Sequence, residues 1–314
     1  MKELVKPING KAEKKPKLTR AKRQEYLFVA SLLVIPIICF LVFWVYVNFD
    51  SLFLAFQQRR YGTDGSYLIF TLDNFERVFT GIFSSGELLI PLRNTLLFFV
   101  LSIVIVLPLS ILMSYFIYEK IWGYKVFRVV TYLPTIITGS ALVVLFQYTF
   151  TSGSPYDAIL RALGIPYENP LVTDYAIVLL LIYNFLFGFG PNLVILGGAM
   201  NAMSVDVLEA GEIDGCNWFQ ELIYLVLPMI WPTVSTIIML SCAAVFSSTG
   251  PIMAMTGGAY NTSTLAFLLY AYGTGAVGTI QQDIYFASAL GLVLTLITFP
   301  LVVLLRKVIF RERD

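Results

Sequence analysis

The stretch Glu209–Pro228, EAGEIDGCNWFQELIYLVLP, is a short polar segment between two long apolar segments of a 314-residue chain. Five acids lie in it or just before it: Asp206, Glu209, Glu212, Asp214 and Glu221. No Lys or Arg occurs between Arg161 and Arg306, so these acids have no cationic neighbour in the sequence. An acidic segment in this position predicts a contact with something outside the chain.

The composition of the whole chain is that of a membrane protein. Its residues are 58% hydrophobic and only 13% charged, whereas soluble domains carry about 25% charged residues. The chain has no His and three Cys, which argues against metal sites, His-based catalysis and a disulfide framework. It has no G-x-x-x-x-G-K-[ST] loop, so we do not expect it to bind ATP by that route.

Six apolar segments have about the 20 residues that a helix needs to cross the hydrocarbon core. They are 26–47, 95–118, 126–150, 175–200, 229–246 and 285–305. The expected fold class is therefore an all-α polytopic membrane protein with six transmembrane helices. The first segment is too long for a signal-peptide core and lacks a cleavage site after it, so we expect it to remain as a span.

The basic residues predict the orientation of these spans. With both termini cytosolic, the inner side holds nine Lys and Arg before the first span, three at Lys120, Lys125 and Arg128, and four at the C-terminus. The outer side holds five. The positive-inside rule favours this arrangement, which places the acidic segment in the cytosol.

This topology divides the chain into three regions. Residues 1–25 form a basic cytosolic tail, 26–310 a six-helix transmembrane domain with a cytosolic loop at 204–228, and 311–314 a cytosolic C-terminus. Beside a membrane domain, the tail is expected to lie near anionic headgroups rather than to bind nucleic acid.

Away from their ends, the predicted spans contain no Asp, Glu, Lys or Arg. Ion- and proton-coupled carriers usually keep ionisable groups there, so a self-contained secondary carrier is disfavoured. The polar groups are neutral, which suits a neutral, hydroxyl-rich solute bound through hydrogen bonds and aromatic stacking. For any single Ser or Thr, a contact between helices is the better interpretation.

Asn184 stands out among these neutral groups, because it lies near the middle of the fourth predicted span. Phe187 and Gly188 follow it, and the pair Gly190-Pro191 should break the helix there. Irregular backbone at membrane depth is tolerated only where protein or a cavity receives the freed backbone groups. A solute site and a helix contact both remain open interpretations for Asn184.

The acidic segment itself predicts a short docking helix between an N-cap at Ser204 and a stop at Gly215. A helix of about ten residues is not stable alone in water, so it needs a docking surface. Its apolar anchors would be Leu208, Ile213, Trp218 and Phe219. An anionic leaflet would repel the acids, which favours a protein partner. Pro228 and Pro232 are expected in the first turn of the fifth span.

Glu209-Ala210-Gly211, then Gly215, then Leu225-Val226-Leu227-Pro228 resemble the EAA loop of permease subunits in binding-protein-dependent ABC importers. The family pattern is E-A-A, three residues, G, nine residues and I-x-L-P, and the spacing here matches throughout. Gly211 replaces the third-position Ala and Leu225 replaces Ile. Ile213-Asp214-Gly215, Thr256-Gly257-Gly258 and Asn74-Phe75 resemble the carbohydrate branch related to the maltose permeases. The resemblance covers about residues 26–310.

The resemblance implies a type I ABC importer permease fold in the cell membrane of a prokaryote. This chain and a second permease subunit would form a heterodimeric pathway for a carbohydrate, with an extracellular solute-binding protein delivering it. Two copies of a cytosolic ATPase subunit would bind ATP and Mg and drive transport. This chain would be a transport subunit rather than an enzyme and would hold no cofactor or metal.

The same resemblance implies two sets of functional residues. Contacts that couple the chain to the ATPase would come from Glu209, Ala210, Gly211, Asp214, Gly215, Leu227 and Pro228. Substrate contacts would come from the spans that flank the loop, at Asn184, Phe187, Gly188, Ser241 and Ser248.

Three alternatives stay open at this point. An ABC permease for a peptide or phosphate would want charged or helix-terminal groups near the midplane, and these are missing. A secondary carrier is disfavoured by the uncharged spans and by the EAA-like motif. A membrane enzyme has no support, since the sequence offers no cluster of His, paired acids or activated nucleophile.

Overall fold

A computed structural model describes residues 20–62, 65–247, 249, 251–275 and 280–311. Most of the predicted basic tail (residues 1–19) and the last three residues lie outside the described residues. The chain divides into two units, Met1–Ser51 and Leu52–Asp314.

Helices dominate both units. The α-helices are α1 (Arg20–Phe40), α2 (Val47–Ala55), α3 (Asp73–Phe83), α4 (Leu89–Val100), α5 (Leu107–Tyr118), α6 (Tyr124–Ile136), α7 (Gly139–Tyr148), α8 (Pro155–Ala162), α9 (Ala176–Phe187), α10 (Gly190–Asn201), α11 (Val205–Ile213), α12 (Trp218–Gln220), α13 (Leu227–Ala244), α14 (Ile252–Met255), α15 (Leu265–Thr274) and α16 (Ile284–Arg311). Three π-helical segments continue neighbouring α-helices: Leu41–Tyr46, Leu101–Val106 and Glu221–Val226. Pro170–Val172 is a short 3₁₀ turn.

Five helical stretches are long and apolar enough to cross a membrane. They are Phe28–Ala55, Leu89–Tyr118, Ala176–Asn201, Trp218–Ala244 and Ile284–Lys307. The pair α6 and α7 makes a sixth when it is counted as one bent span. The prediction of an all-α polytopic membrane protein is confirmed, and six spans result with this pair counted as one.

The third span differs from the single helix expected over 126–150. It consists of α6 and α7, which meet at an angle of 105°. Ile137 and Thr138 between them have extended backbone, with ψ of 139° in both. Pro134 lies just before this point and has no N–H to donate to the preceding turn, which weakens the helix there.

The fifth span begins earlier than the run 229–246 indicates. It extends from Trp218 to Ala244, so Pro228 and Pro232 lie inside the helix rather than in its first turn. Directly before Pro228, the segment Glu221–Val226 has the wider π-helical turn. Such a turn accommodates a residue that cannot donate the usual hydrogen bond to the fourth residue before it. Pro228 does lie in the first turn of α13, as predicted, but α13 continues the helix that begins at Trp218, and Pro232 lies inside it.

The core of the second unit contains a cluster that supports the acidic segment. It joins the second span, α10 and the fifth span through buried side chains, among them Tyr115, Leu196, Met200, Leu222, Val226 and Ile230. A larger cluster joins α3, α7, α9, α15 and α16. The first unit is different, since no residue in the most apolar window of its span is buried, as lipid-facing surface requires.

A two-stranded hairpin in the first predicted outer loop did not follow from the sequence. Strand β1 (Gln57–Gly62) pairs antiparallel with β2 (Gly65–Phe70), with Gln57 opposite Phe70. The buried Asn74 of α3 fixes its base, because its Nδ2 donates to the carbonyl oxygens of Ala55 at 3.2 Å and Gln57 at 2.8 Å.

Candidate functional site

The acidic segment forms α11, a nine-residue helix, followed by a tight turn. Gly215 has left-handed backbone with φ of 80°. Its N–H donates to the Glu212 carbonyl at 3.0 Å, and the Cys216 N–H donates to the Gly211 carbonyl at 3.0 Å. This pair of bonds is the Schellman motif, in which the left-handed position favours Gly. The predicted helix end at Gly215 is therefore confirmed.

The N-terminus of α11 has fewer capping hydrogen bonds than its C-terminus. Ser204 has extended backbone in the N-cap position, but its side chain makes no capping hydrogen bond. Asp206 lies in the first turn, where a negative charge interacts favourably with the helix dipole. The predicted N-cap position is confirmed, and the predicted side-chain cap is not formed.

A capping box connects α11 to the fifth span. The Asn217 side-chain oxygen accepts the N–H of Phe219 at 3.1 Å and of Gln220 at 2.9 Å. The Asn217 N–H donates to Gln220 Oε1 at 3.0 Å. These bonds satisfy the first donors of the fifth span and fix its direction immediately after the Gly215 turn. The N-x-x-Q spacing was readable in the sequence, but the expected span began too late to include it.

One side of α11 is anchored and the other is open. Gly211 is buried, and Leu208 packs against the core cluster of the second and fifth spans. Ile213 is 85% exposed, and Glu209 and Asp214 are exposed as well. The open side therefore combines carboxylates with an apolar side chain. Trp218 and Phe219, each more than half exposed, extend this surface into the fifth span.

The two departures from the EAA pattern lie against each other. A Cβ at Gly211 would collide with Cδ1 of Leu225 in the π-helical segment. The Leu225 side chain therefore fills the space that an Ala at position 211 would take. This contact fastens the middle of α11 to the fifth span.

The acids around α11 have no counter-ion within the described residues. Three ion pairs form there, Arg60–Asp73, Arg77–Asp283 and Arg161–Asp157, and none includes an acid of the segment. Glu119, just after the second span, adds to the negative charge. Burial raises the pKa of the Glu119 carboxyl, and the charges of Glu221 and Glu212 raise it further.

A cavity of about 220 Å³ lies among the spans. Its walls come from the second, fourth and fifth spans and from the segment after the fifth: Thr95, Phe98, Phe99, Ser102, Asn184, Ser241, Ala244, Val245, Pro251, Ile252 and Thr264. Among the described residues, the side chains of Asn184 and Ser241 form no hydrogen bond, so their polar atoms are available to a solute. Thr95 is different, since its hydroxyl donates to Pro91 and accepts the Leu265 N–H.

Residues 106–313 match the family described as the binding-protein-dependent transport system inner membrane component. The chain belongs to this family. The match includes the EAA-like loop, and it confirms the resemblance to permease subunits of such importers. This inner membrane component is thus a membrane-embedded transport subunit.

Relatives and a solved structure agree with the assignment. The multiple sugar-binding transport system permease protein MsmF of Streptococcus mutans is 26% identical over 271 residues, with 84% of this chain and 89% of MsmF covered. The maltose/maltodextrin permease protein MalF of Vibrio vulnificus is 26% identical over 246 residues, 74% of this chain and 46% of MalF. The crystal structure of a bacterial ABC transporter that imports the acidic polysaccharide alginate contains a chain with the same fold. Its TM-score is 0.76 at 19% identity, with 94% of this chain and 99% of that chain covered.

The structure of this inner membrane component brings together only part of the predicted substrate set. Asn184 and Ser241 share the cavity. Phe187 does not line it and instead packs against Tyr183 and Phe146, with ring centroids 4.8 and 6.4 Å apart. The Phe187 ring therefore lies outside the cavity lining, although positions three residues apart share one side of a helix. Ser248 lies outside the described residues.

Gly188 also lies away from the cavity lining, at the interruption of the fourth span. The break comes at residues 188–189, between α9 and α10, and Pro191 then occupies the first turn of α10. The Gly188 N–H donates to the Asn184 carbonyl at 2.8 Å, so the fourth span continues in nearly one direction. Gly190 packs closely on the third span, since a Cβ there would collide with Cγ2 of Thr135.

Sequence reasoning missed the contribution of the second span to the cavity. Phe98, Phe99 and Ser102 lie in a long apolar run with no local signal apart from the single Ser. No group of three or more His, Cys, Asp or Glu in the described ranges is arranged to hold a metal ion.

Proposed function

We propose that this chain is one of two permease subunits in an ATP-driven importer for a carbohydrate, which an extracellular binding protein delivers. The proposed transport role rests on the family assignment over residues 106–313. The choice of a sugar as the solute is supported by the names of the relatives MsmF and MalF. The uncharged cavity agrees with a neutral solute, because a peptide terminus or a phosphate would need a charged partner there.

The open side of α11 is the surface that a separate cytosolic ATPase would contact. Glu209 offers a carboxylate to a cation on that partner, and Ile213 offers an apolar anchor. ATP and Mg would be bound by the ATPase and not by this chain. The proposed coupling set is Glu209, Ala210, Gly211, Asp214, Gly215, Leu227 and Pro228.

Movement of α11 would reach the solute pathway through a stiff connection. The Schellman turn at Gly215 and the capping box at Asn217 leave no flexible linker between α11 and the fifth span. Ser241, in the same span, lines the cavity. Rigid-body motion of this span against its neighbours is one of the established routes to alternating access.

The cavity would form one wall of the solute pathway. Asn184, Ser241 and Ser102 offer hydrogen bonds to hydroxyl groups, and Phe98 and Phe99 offer aromatic faces. Its volume of about 220 Å³ is below the roughly 300–1,000 Å³ of ordinary ligand pockets. A second permease subunit would complete the pathway.

The deciding experiment is reconstitution of the complex with its ATPase, second permease and binding protein in vesicles. We expect uptake of labelled oligosaccharide that requires both ATP and the binding protein. Uptake by this chain alone would assign a secondary carrier, and ATP-dependent uptake of peptide or phosphate but not sugar would refute the carbohydrate assignment. A sugar bound to the co-purified binding protein identifies the substrate by mass spectrometry.

The solute site has its own test in the same vesicles. Asn184→Ala and Ser241→Ala should each raise the KM for sugar by about two- to ten-fold, the effect of one lost hydrogen bond. Phe187→Leu is the matched control, because Phe187 packs in the core outside the cavity. Unchanged KM in both cavity variants would place the site elsewhere.

The orientation proposed for this importer places both termini and α11 in the cytosol of a prokaryotic cell. A protease-cleavable tag at either terminus should be cut in inside-out vesicles and protected in intact cells whose outer membrane has been removed. Cleavage from the outside would reverse the topology and separate α11 from any cytosolic ATPase.

A further inference from the structure

The loop between the second span and α6 is a tight turn with an exposed Trp at its tip. Lys120 and Gly123 have left-handed backbone, with φ of 52° and 84°. The Ile121 carbonyl accepts the Tyr124 N–H at 2.8 Å, which closes the turn. Trp122 between them is 99% exposed, the highest fraction among the large apolar side chains of the described residues. Residues 119–128 are called the Trp122 loop below.

The positions of the neighbouring helices set the depth of Trp122. The second span ends at Tyr118, and α6, the first half of the third span, begins at Tyr124. Trp122 therefore lies where two spans leave the hydrocarbon. This is the headgroup level, where Trp and Tyr are enriched because their rings are apolar at one end and polar at the other.

The first turns of α6 have the surface expected of lipid contact. Val126, Phe127, Val129 and Val130 are all more than half exposed, and no residue of α6 is buried. These four positions lie on one side of α6, at a spacing of three and four residues, and Lys125 and Arg128 lie on the other side. A helix with an apolar face and a basic face is typical of a membrane interface.

Charge around the Trp122 loop is segregated. Lys120, Lys125 and Arg128 are exposed, and no ion pair within the described residues includes them. Burial, and then the negative charges of Glu221 and Glu212, raise the pKa of Glu119, the acid of the loop. The Trp122 side of the loop is therefore cationic, and an anionic surface would complement its charge.

We propose that the Trp122 loop binds the headgroups of anionic phospholipids. The Trp122 ring inserts at the glycerol level, and the ammonium and guanidinium groups of Lys120, Lys125 and Arg128 lie on the phosphates above it. Long basic side chains reach this level while their apolar stems stay in the interface. The site goes beyond the transport function, since it fixes the entry point of the bent third span in the membrane.

The test measures contact between Trp122 and lipid by fluorescence. The full chain is reconstituted in phosphatidylcholine vesicles that contain either brominated phosphatidylglycerol or the same amount of brominated phosphatidylcholine. Bromine quenches a neighbouring indole, and the difference between the wild type and Trp122→Phe isolates Trp122 among the four Trp of the chain. We expect stronger quenching of Trp122 by the brominated phosphatidylglycerol. The vesicles are symmetric, so the result does not depend on insertion direction.

Charge variants decide whether the cations produce this preference. The triple change Lys120→Gln, Lys125→Gln, Arg128→Gln should abolish the preference of Trp122 for brominated phosphatidylglycerol. Each cation is expected to contribute about five-fold to this preference at low salt. The change Lys120→Arg, Lys125→Arg, Arg128→Lys should keep it, which controls for altered folding. Arg306→Gln with Lys307→Gln, a basic pair at the end of α16, should keep it too.

Several outcomes would overturn the proposal. They are equal quenching by the two brominated lipids, no quenching of Trp122, or an unchanged preference in the Gln triple variant. Loss of quenching on addition of the ATPase and second permease would also overturn it, because the loop would then be a protein contact.

Discussion

Gly211 shows how one residue adapts a common motif to its neighbour. A Cβ at this position meets Cδ1 of Leu225, the movable end of that side chain, so the overpacking should cost near the lower end of about 1–3 kcal/mol. We expect Gly211→Ala to lower the melting temperature of the detergent-solubilised chain and to reduce uptake per ATP hydrolysed. Leu225→Ile should relieve the collision, so the double variant should recover most of both losses.

A double-mutant cycle measures this coupling. Gly198→Ala in α10 is the matched control, because a Cβ there meets no atom within 4 Å. Additive effects of the changes at 211 and 225 would show that the two residues do not act as a pair.

Glu119 should make stability depend on pH. Burial, then the charges of Glu221 and Glu212, raise its pKa above the unfolded-state value, about 4.3 for Glu. Between these two values the folded state binds more protons than the unfolded state, so the free energy of unfolding increases as pH falls through the raised pKa. Glu119→Gln should therefore unfold at higher temperature than the wild type at neutral pH, and the difference should shrink in acid.

Thermal unfolding of both proteins across the pH range checks this. Glu119→Asp keeps the carboxyl and should keep the pH dependence. A wild type that is stabilised relative to Glu119→Gln as pH rises would contradict the sign of the effect.

At the scale of elements, the Gly215 turn and the Asn217 capping box connect α11 directly to the fifth span. Loss of an N-cap side chain costs about 1 kcal/mol. We expect Asn217→Ala to fray the first turn of the span and to leave ATP hydrolysis partly uncoupled from uptake. Asn217→Ser restores a capping oxygen and should restore coupling, as measured by the ratio of uptake to hydrolysis. Equal coupling in both variants would mean that the cap is structural only.

The number of spans followed from the sequence because length and hydropathy determine them locally. The bend of the third span did not, since it depends on Pro134 together with close packing of Gly190 against Thr135, which are distant in sequence. The fifth span was placed too late because Pro228 read as a helix start. The preceding π-helical segment is what allows a proline inside the helix.

The candidate sites also contain some residues that the sequence identified and some that only the structure revealed. The helix of the acidic segment was predictable, because a stop at Gly215 and a fixed spacing are local signals. Asn184 and Ser241 were identifiable as neutral polar groups in apolar spans. Phe98, Phe99 and Ser102 were not, since only the packing of the second span against the fourth and fifth brings them to the cavity.

For the whole molecule, the absence of basic residues between Arg161 and Arg306 gives the α11 face an unbalanced negative charge. A partner that docks there must supply cations, and close opposite charges contribute more at a desolvated interface than at an exposed surface. We expect Glu209→Lys to weaken co-purification of the ATPase at least ten-fold, about 1.4 kcal/mol, and to reduce ATP-dependent uptake. Raised salt should weaken the wild-type complex and affect the variant less.

The control for this charge reversal is Glu168→Lys, which changes an exposed acid in the loop between the third and fourth spans. The proposed topology places that loop outside the cell, so the ATPase should bind this variant as it binds the wild type. If the two reversals weaken binding equally, net charge rather than the α11 face controls assembly. If Glu209→Lys transports normally, the carboxylate has no part in coupling, and the apolar group at Ile213 would have to carry the contact.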